Sequence, residues 1–226
     1  MPAYISAFER LSKLPEVFSI NTLVRYTGLS RAAAKVTLNR WSAHKLVQSA
    51  GPKTGIYFNR VLDPKGQRAS AVKGLQMKYP SATLCGASVL HAAGWTTQIP
   101  TTLHAAIEAR ASYVSFEGVT LHPKPLAWFV FMHKHSAWVN AGDTSGTGTA
   151  NTGKSTSEYA PEFPTFGLCS LRPAWALADL YADTSTRAWK PDEDDLDIEP
   201  HDLAAVRIAC EAMGVANPAY GLSIGD

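Results

Sequence analysis

The sequence predicts an α+β protein in two parts: a basic, mostly helical head over 1–79 and a mixed body of strands and helices over 80–226. Three observations predict it. First, charge is partitioned. The first 80 residues hold 13 Lys and Arg against three acids (Glu9, Glu16, Asp63), a net of +10, while the remainder carries a net of −8. Second, apolar residues recur at helical spacing as far as about residue 44, then give way to two short runs of β-branched and aromatic residues. Third, beyond residue 80, strand-like segments are flanked by helical ones at both ends, the order of an α+β domain rather than of alternating α/β units.

A length of 226 residues with 46% hydrophobic content suffices for two modest domains. There is no run of 18 apolar residues, and Met1-Pro2-Ala3-Tyr4 opens no basic-then-apolar leader, so a cytoplasmic protein is expected. Cys85, Cys169 and Cys210 are odd in number and far apart, as expected of reduced thiols, and they are not clustered to hold a metal.

Within the head, Ile5, Phe8 and Leu11 or Leu14 mark a short amphipathic helix over 4–14, stopped by Pro15. Ser19 is placed to cap a second helix through Ile20, Leu23, Val24 and Tyr26, and Gly28 to end it in the left-handed conformation. Ser30 caps a third helix over 31–44. Two helices joined by a tight Gly-containing turn form a helix-turn-helix pattern. On the third helix Ala34, Leu38 and Trp41 fall on an inward face, while Arg31, Lys35 and Asn39 fall outward with Arg40 beside them. Two strand-like runs, 45–48 and 56–59, flank turn-forming residues 49–55, which makes a hairpin with Lys53 at its tip, the wing of a winged helix.

A surface this basic suits a polyanion. The expected partner is double-stranded DNA, with Arg31, Lys35, Asn39 and Arg40 entering the major groove and Arg25, Thr27, Ser30 and Lys53 holding phosphate. A three-helix unit with a hairpin also serves as a protein-interaction module, and that alternative stays open.

In the body, 81–94 reads as a small-residue helix ending at Gly94. Segments 102–107, 113–116, 119–122 and 128–132 are strand-like by composition. Helices are expected over 172–181, with Pro173 at its start, and over 200–213, closed by Gly214.

The stretch CGASVLHAAGWTTQIP at 85–100 resembles the "G-x-S-A-L-x-x-H-G-L-T-x-Q-x-P" segment of AbiEi-type antitoxins, the antitoxin halves of the AbiE abortive-infection toxin–antitoxin systems. The order of parts is similar too: winged helix, this stretch, strands, then a helix of the type LRPAWALADL at 171–180. The resemblance runs over roughly 4–181, with Ala93-Gly94 where the family commonly has His-Gly, and Trp95 in place of an aliphatic residue. It implies a head that binds an inverted repeat at its own promoter and represses it. It also implies that 80–226 is an antitoxin domain countering a toxin similar to nucleotidyltransferases, without need of a stable toxin–antitoxin complex.

Other signals are weaker. GTANTGKS at 148–155 matches the letters of a phosphate-binding loop, but Pro161 and Pro164 leave no room for the helix such a loop requires, so about 140–158 reads as a flexible surface loop. On a strand, His133 and His135 would share a face toward a metal, but neither has an obvious third ligand. His91 reads as a satisfied, half-buried histidine. Residues 192–199 pack six acids into eight positions. Repulsion favours an extended, solvated run there, which is open to three roles: capping the next helix through Asp197 or Glu199, mimicking nucleic-acid charge, or holding a divalent cation. Asp63-Pro64-Lys65 is the one Asp-x-Lys and has proline at its middle. No catalytic set and no cofactor site stands out. The reading is a DNA-binding repressor and antitoxin. Its alternatives are a single-purpose winged-helix transcription factor with a ligand- or protein-sensing C-terminal domain, and an enzyme using the 148–155 loop or the acidic run.

Overall fold

The computed structural model describes residues 6–64, 67–110, 112–139, 168–183 and 189–218. The chain is mixed α+β and divides into two compact units, Met1–Pro80 with Arg110–Thr120, and Ser81–Ala109 with Leu121–Asp226. No helix among the described residues is long and apolar enough to cross a membrane. The 140–158 loop, with its 148–155 motif, lies outside the described residues.

In the first unit, α1 (Ala7–Ser12) starts where the Ser6 hydroxyl accepts the Glu9 N–H, and it stops short of Pro15. β1 (Val17–Ser19) leads directly into α2 (Ile20–Thr27). Ser19 closes a reciprocal capping box with Thr22, and Gly28 ends the helix at φ +68. The Ser30 side chain accepts the Ala33 N–H at 3.2 Å and opens α3 (Arg31–Ala43). The chain leaves α3 through Lys45 at φ +57, with the Leu46 N–H donating to the Trp41 carbonyl. β2 (Val47–Ser49) and β3 (Ile56–Asn59) form an antiparallel hairpin, and β1 adds to the other edge of β3 in the order β1-β3-β2. Phe18, Leu23, Ala34, Leu38, Trp41 and Val47 share one buried cluster with Leu11 and Leu14. Asn59, fully buried, locks the layers together: its amide donates to the Leu11 carbonyl at 2.8 Å, and its backbone N–H donates to Glu16 O at 2.7 Å. The sequence reading did not foresee α4 (Gln67–Lys78), whose Ala71, Val72 and Leu75 are buried.

The second unit carries β4 (Thr83–Leu84), α5 (Gly86–Ala92), β5 (Leu103–Glu108), β6 (Val119–Lys124), α6 (Leu126–Lys134), β7 (Trp138–Val139), β8 (Cys169–Leu171), α7 (Pro173–Ala182) and α8 (Leu203–Met213). Its sheet runs β6-β5-β4-β8-β7, with β4 parallel to β8 and antiparallel to β5. α7 packs against both α5 and α8.

Four expectations are corrected. The 81–94 stretch is not one helix, because Thr83 and Leu84 pair with Ala106 and Ala105 as a sheet strand before α5 begins at Gly86. Residues 128–132 are helical, within α6. The run from Leu126 to Met132 is apolar throughout, so it has no alternation to separate helix from strand, and extended Pro125 starts the helix. Residues 113–116 form no strand beyond a single Phe116–Val119 bridge. The Val114 N–H donates to the Tyr79 hydroxyl, Phe116 is buried edge-on to Tyr79, and the Glu117 N–H donates to Ala50 O, so this segment wraps the β2–β3 hairpin. The acidic run is not wholly extended and solvated. It holds a 3₁₀ turn at Glu193–Asp195, Leu196 and Ile198 are buried, and the Asp197 N–H donates to Trp95 O. Neither Asp197 nor Glu199 caps the next helix, which starts at Leu203 with no side-chain cap.

Gly51 is where this wrapping is tightest. It sits at φ +147, and a Cβ there would meet Ser115 O at 2.2 Å. Gly28 also has positive φ, but a Cβ there would meet nothing within 4 Å. Gly51→Ala is therefore expected to cost about 3 kcal/mol of unfolding free energy, because two backbones must part. Gly28→Ala costs about 1 kcal/mol, from conformation alone. Urea denaturation of the two variants checks the order.

Candidate functional site

The cationic residues of the first unit are sorted by the burial of α3. Ala34, Leu38 and Trp41 face the core, which leaves Arg31, Lys35, Asn39 and Arg40 exposed. The hairpin stands beside one flank of the helix. A single hollow is lined by Arg31, Lys35 and Asn39 from α3 and by Ser49, Gly51, Lys53, Gly55 and Tyr57 from the hairpin. Of the eight residues expected at a DNA interface, the structure thus brings four together: Arg31, Lys35, Asn39 and Lys53. Lys53 sits at the hairpin tip in the left-handed region, φ +58.

The other four are arranged differently. Arg40 is exposed on the opposite flank of α3, and Arg25 is exposed in the last turn of α2. Ser30 is exposed, its oxygen engaged as the α3 cap. Thr27 departs from its expected role. Its hydroxyl donates to the Leu23 carbonyl at 2.7 Å and accepts the Leu29 N–H, so its proton is spent on the α2 C-terminus and is not free for a phosphate.

The sequence reading missed Asn21. Its side-chain oxygen accepts from Arg31 Nη1 at 2.8 Å, fixing a guanidinium ten positions later. It also missed Tyr57, which lines the hollow and stacks on Phe18 with centroids 6.0 Å apart. Behind the hairpin, Gln48 accepts from Arg60 Nε at 3.0 Å and donates to Glu117 at 2.6 Å, which ties the 110–120 segment to β2. Among the described residues, the hollow holds no carboxylate to oppose its cations. It can take an anion along the trough between helix and hairpin.

The second unit contains a polar cluster, half-buried around a buried carboxylate. Asp179 on α7, 6% exposed, accepts from Lys124 at 2.9 Å and from the Trp128 indole N–H at 2.7 Å. His104 Nδ1 and His122 Nε2 lie 3.1 Å apart with their rings stacked. Burial pushes His104 down to about 4, helped by the charge of His122. Burial, then nearby Lys124, pushes His122 down as well. The Cys85 thiol is pushed up to about 12, first by burial and then by Asp179, so it is held protonated and poorly nucleophilic. His133 and His135 are not on a strand. They end α6, His133 beside Trp138, and His135 against Phe131 and Trp175. No group of three metal-ligating side chains occurs among the described residues.

Asp179→Ala leaves a half-buried ammonium and an indole N–H without their acceptor, and it is expected to cost about 2 kcal/mol in denaturant unfolding. The histidine pair sets an acid limit. His104 ionises near 4 folded and near 6.5 unfolded, so between those values the unfolded chain binds more protons and stability falls as pH falls. Above pH 6.5 this contribution is complete. Denaturant midpoints across that window are expected to drop more steeply for the native chain than for a His104→Asn/His122→Asn variant.

No family model matches the chain, and no curated protein matches it. Among solved structures it is similar to the RV2827C protein from Mycobacterium tuberculosis, at a TM-score of 0.49 and 14% identity, over 90% of this chain and 66% of that one.

Proposed function

We propose that the first unit is a winged helix-turn-helix that binds double-stranded DNA, with α3 in the major groove and the β2–β3 hairpin as its wing. The observation that carries this reading is the acid-free hollow between α3 and the hairpin, in which Arg31, Lys35, Asn39 and Lys53 converge. It is supported by the capped α2–turn–α3 order and by the net +10 of the first 80 residues. A phosphate ribbon laid in the trough would meet Arg31, Lys35 and Lys53, while Arg40 meets the opposite strand.

The resemblance of 85–100 to AbiEi-type antitoxins extends the proposal. The protein represses its own operon by binding a promoter inverted repeat, and its second unit counters a nucleotidyltransferase-like toxin functionally, without a lasting complex. A second reading, a transcription factor whose second unit senses a small ligand, is favoured by one observation. Trp95, His135, Arg172, Trp175 and Ile208 line a largely apolar hollow of that unit. Co-expression with the product of the adjacent gene separates the two: restored growth in the presence of a toxic neighbour supports the antitoxin, and its absence the sensor.

The DNA interface has its own test. Arg31→Ala with Lys35→Ala alters two exposed positions, so the thermal midpoint should stay within a few degrees while retardation of promoter DNA is lost. For the native protein, contacts to about five to eight phosphates give a slope of log affinity against log salt of about −5 to −7 per protomer. Undiminished retardation by the double variant would defeat the assignment.

A further inference from the structure

The outermost position of α3 is not a charge. Ala34, Leu38 and Trp41 are 0%, 1% and 5% exposed. At about 100° per residue, the position nearly opposite that stripe is 36. Val36 stands there at 51% exposure, with exposed Ala32 one turn before it. Lys35 and Asn39 flank this crest on the hairpin side, and Arg40 flanks it on the other. α3 therefore presents a short aliphatic ridge between cationic shoulders, with no acid anywhere in the helix.

A solvent-exposed valine is a costly choice in a helix, where its branched side chain loses rotamer freedom, while alanine has none to lose and lysine loses little. One valine and one alanine are too small a patch to dock an apolar protein surface. The shoulders call for a polyanion, and the ridge calls for a polyanion with methyl groups at the right depth. Duplex DNA meets both demands, since its major groove admits a helix and thymine places its C5 methyl on that groove floor. Double-stranded RNA meets only the first, because uracil lacks the methyl and the A-form major groove is too narrow to admit the ridge.

We infer that Val36 reads a thymine methyl, so that α3 selects thymine-bearing DNA over RNA and over uracil-containing DNA of the same sequence. The inference rests on the DNA-binding reading above and deepens it. Asn39, one turn from Val36 and able to pair bidentately with adenine, is placed for a neighbouring base pair.

The test uses the full chain. A random 20-base-pair duplex library is enriched by binding, and the selected duplex is remade with each thymine replaced singly by deoxyuridine, which deletes only the methyl. The native protein is expected to lose about three- to fivefold in affinity at one or two thymines per protomer and nothing elsewhere, the worth of one buried methyl. Val36→Ala, which favours the helix, is expected to bind the parent duplex weaker by that same factor and to show no further loss at those thymines. Val36→Thr, which keeps one methyl, should fall between. An RNA duplex of the same sequence should not compete. Uracil substitution that is neutral everywhere, losses undiminished in Val36→Ala, or equal competition by RNA would each overturn the inference while leaving DNA binding intact. If the native chain enriches no duplex over the Arg31→Ala/Lys35→Ala variant, the DNA-binding reading fails, and this inference with it.

Discussion

Much of the first unit depends on one packing constraint, the burial of the Ala34–Leu38–Trp41 stripe against Phe18 and Leu23. Each large side chain removed from water contributes about 1.5–3 kcal/mol, more than any rotation of α3 about its own axis would recover. With that angle fixed, helical periodicity decides the rest. The 31/35/39 column faces one flank, Arg40 the other, and Val36 the crest. The hairpin is then held in place from behind. Buried Asn59 ties β3 to the end of α1, and the 115–117 backbone presses on Gly51 too closely for any side chain. The trough is a by-product of two rigid placements. It needs no strong interaction among the cations themselves, which repel one another and remain solvated.

Local chemistry was legible where a residue type has one conformational use. Ser19, Gly28 and Ser30 bound α2 and α3 as their capping preferences require, and Gly214 closes α8. The inward face of α3 was legible because three apolar residues share one period. Which flank of α3 meets the hairpin was not, because that depends on the hairpin's position. Asn21 was missed for a similar reason, since its bond to Arg31 crosses the turn between two helices.

The second unit was less legible because its sheet is built from very short strands paired across long separations. Thr83 pairs with Cys169 on one side and with Ala106 on the other. A two-residue strand has no period to read, and its pairing lies in tertiary contacts. α4 escaped notice because it has no clean apolar stripe. It packs partly through Gly74, where a Cβ would stand 3.1 Å from the Phe58 ring. Segment 113–116 looked like a strand because aromatic and β-branched residues suit strands, yet Phe116 spends its burial on Tyr79 and the hairpin.

The acidic run bears on how charge is used. Six acids in eight positions favour an extended, solvated run. From Asp195 to Ile198 the run is instead anchored to its own unit. Leu196 and Ile198 are buried, Asp197 donates to Trp95 O, and Asp195 accepts from Gln98. Asp197 and Glu199 are exposed while Leu196 and Ile198 are buried, a strand-like alternation in a segment that pairs with no strand among the described residues. Their influence beyond contact distance is then a screened field, falling off over about 8–10 Å at physiological salt. Such a field lowers the net attraction of the whole chain for a polyanion. The division of charge therefore concentrates positive potential on the first 80 residues, net +10, and leaves the remainder net −8.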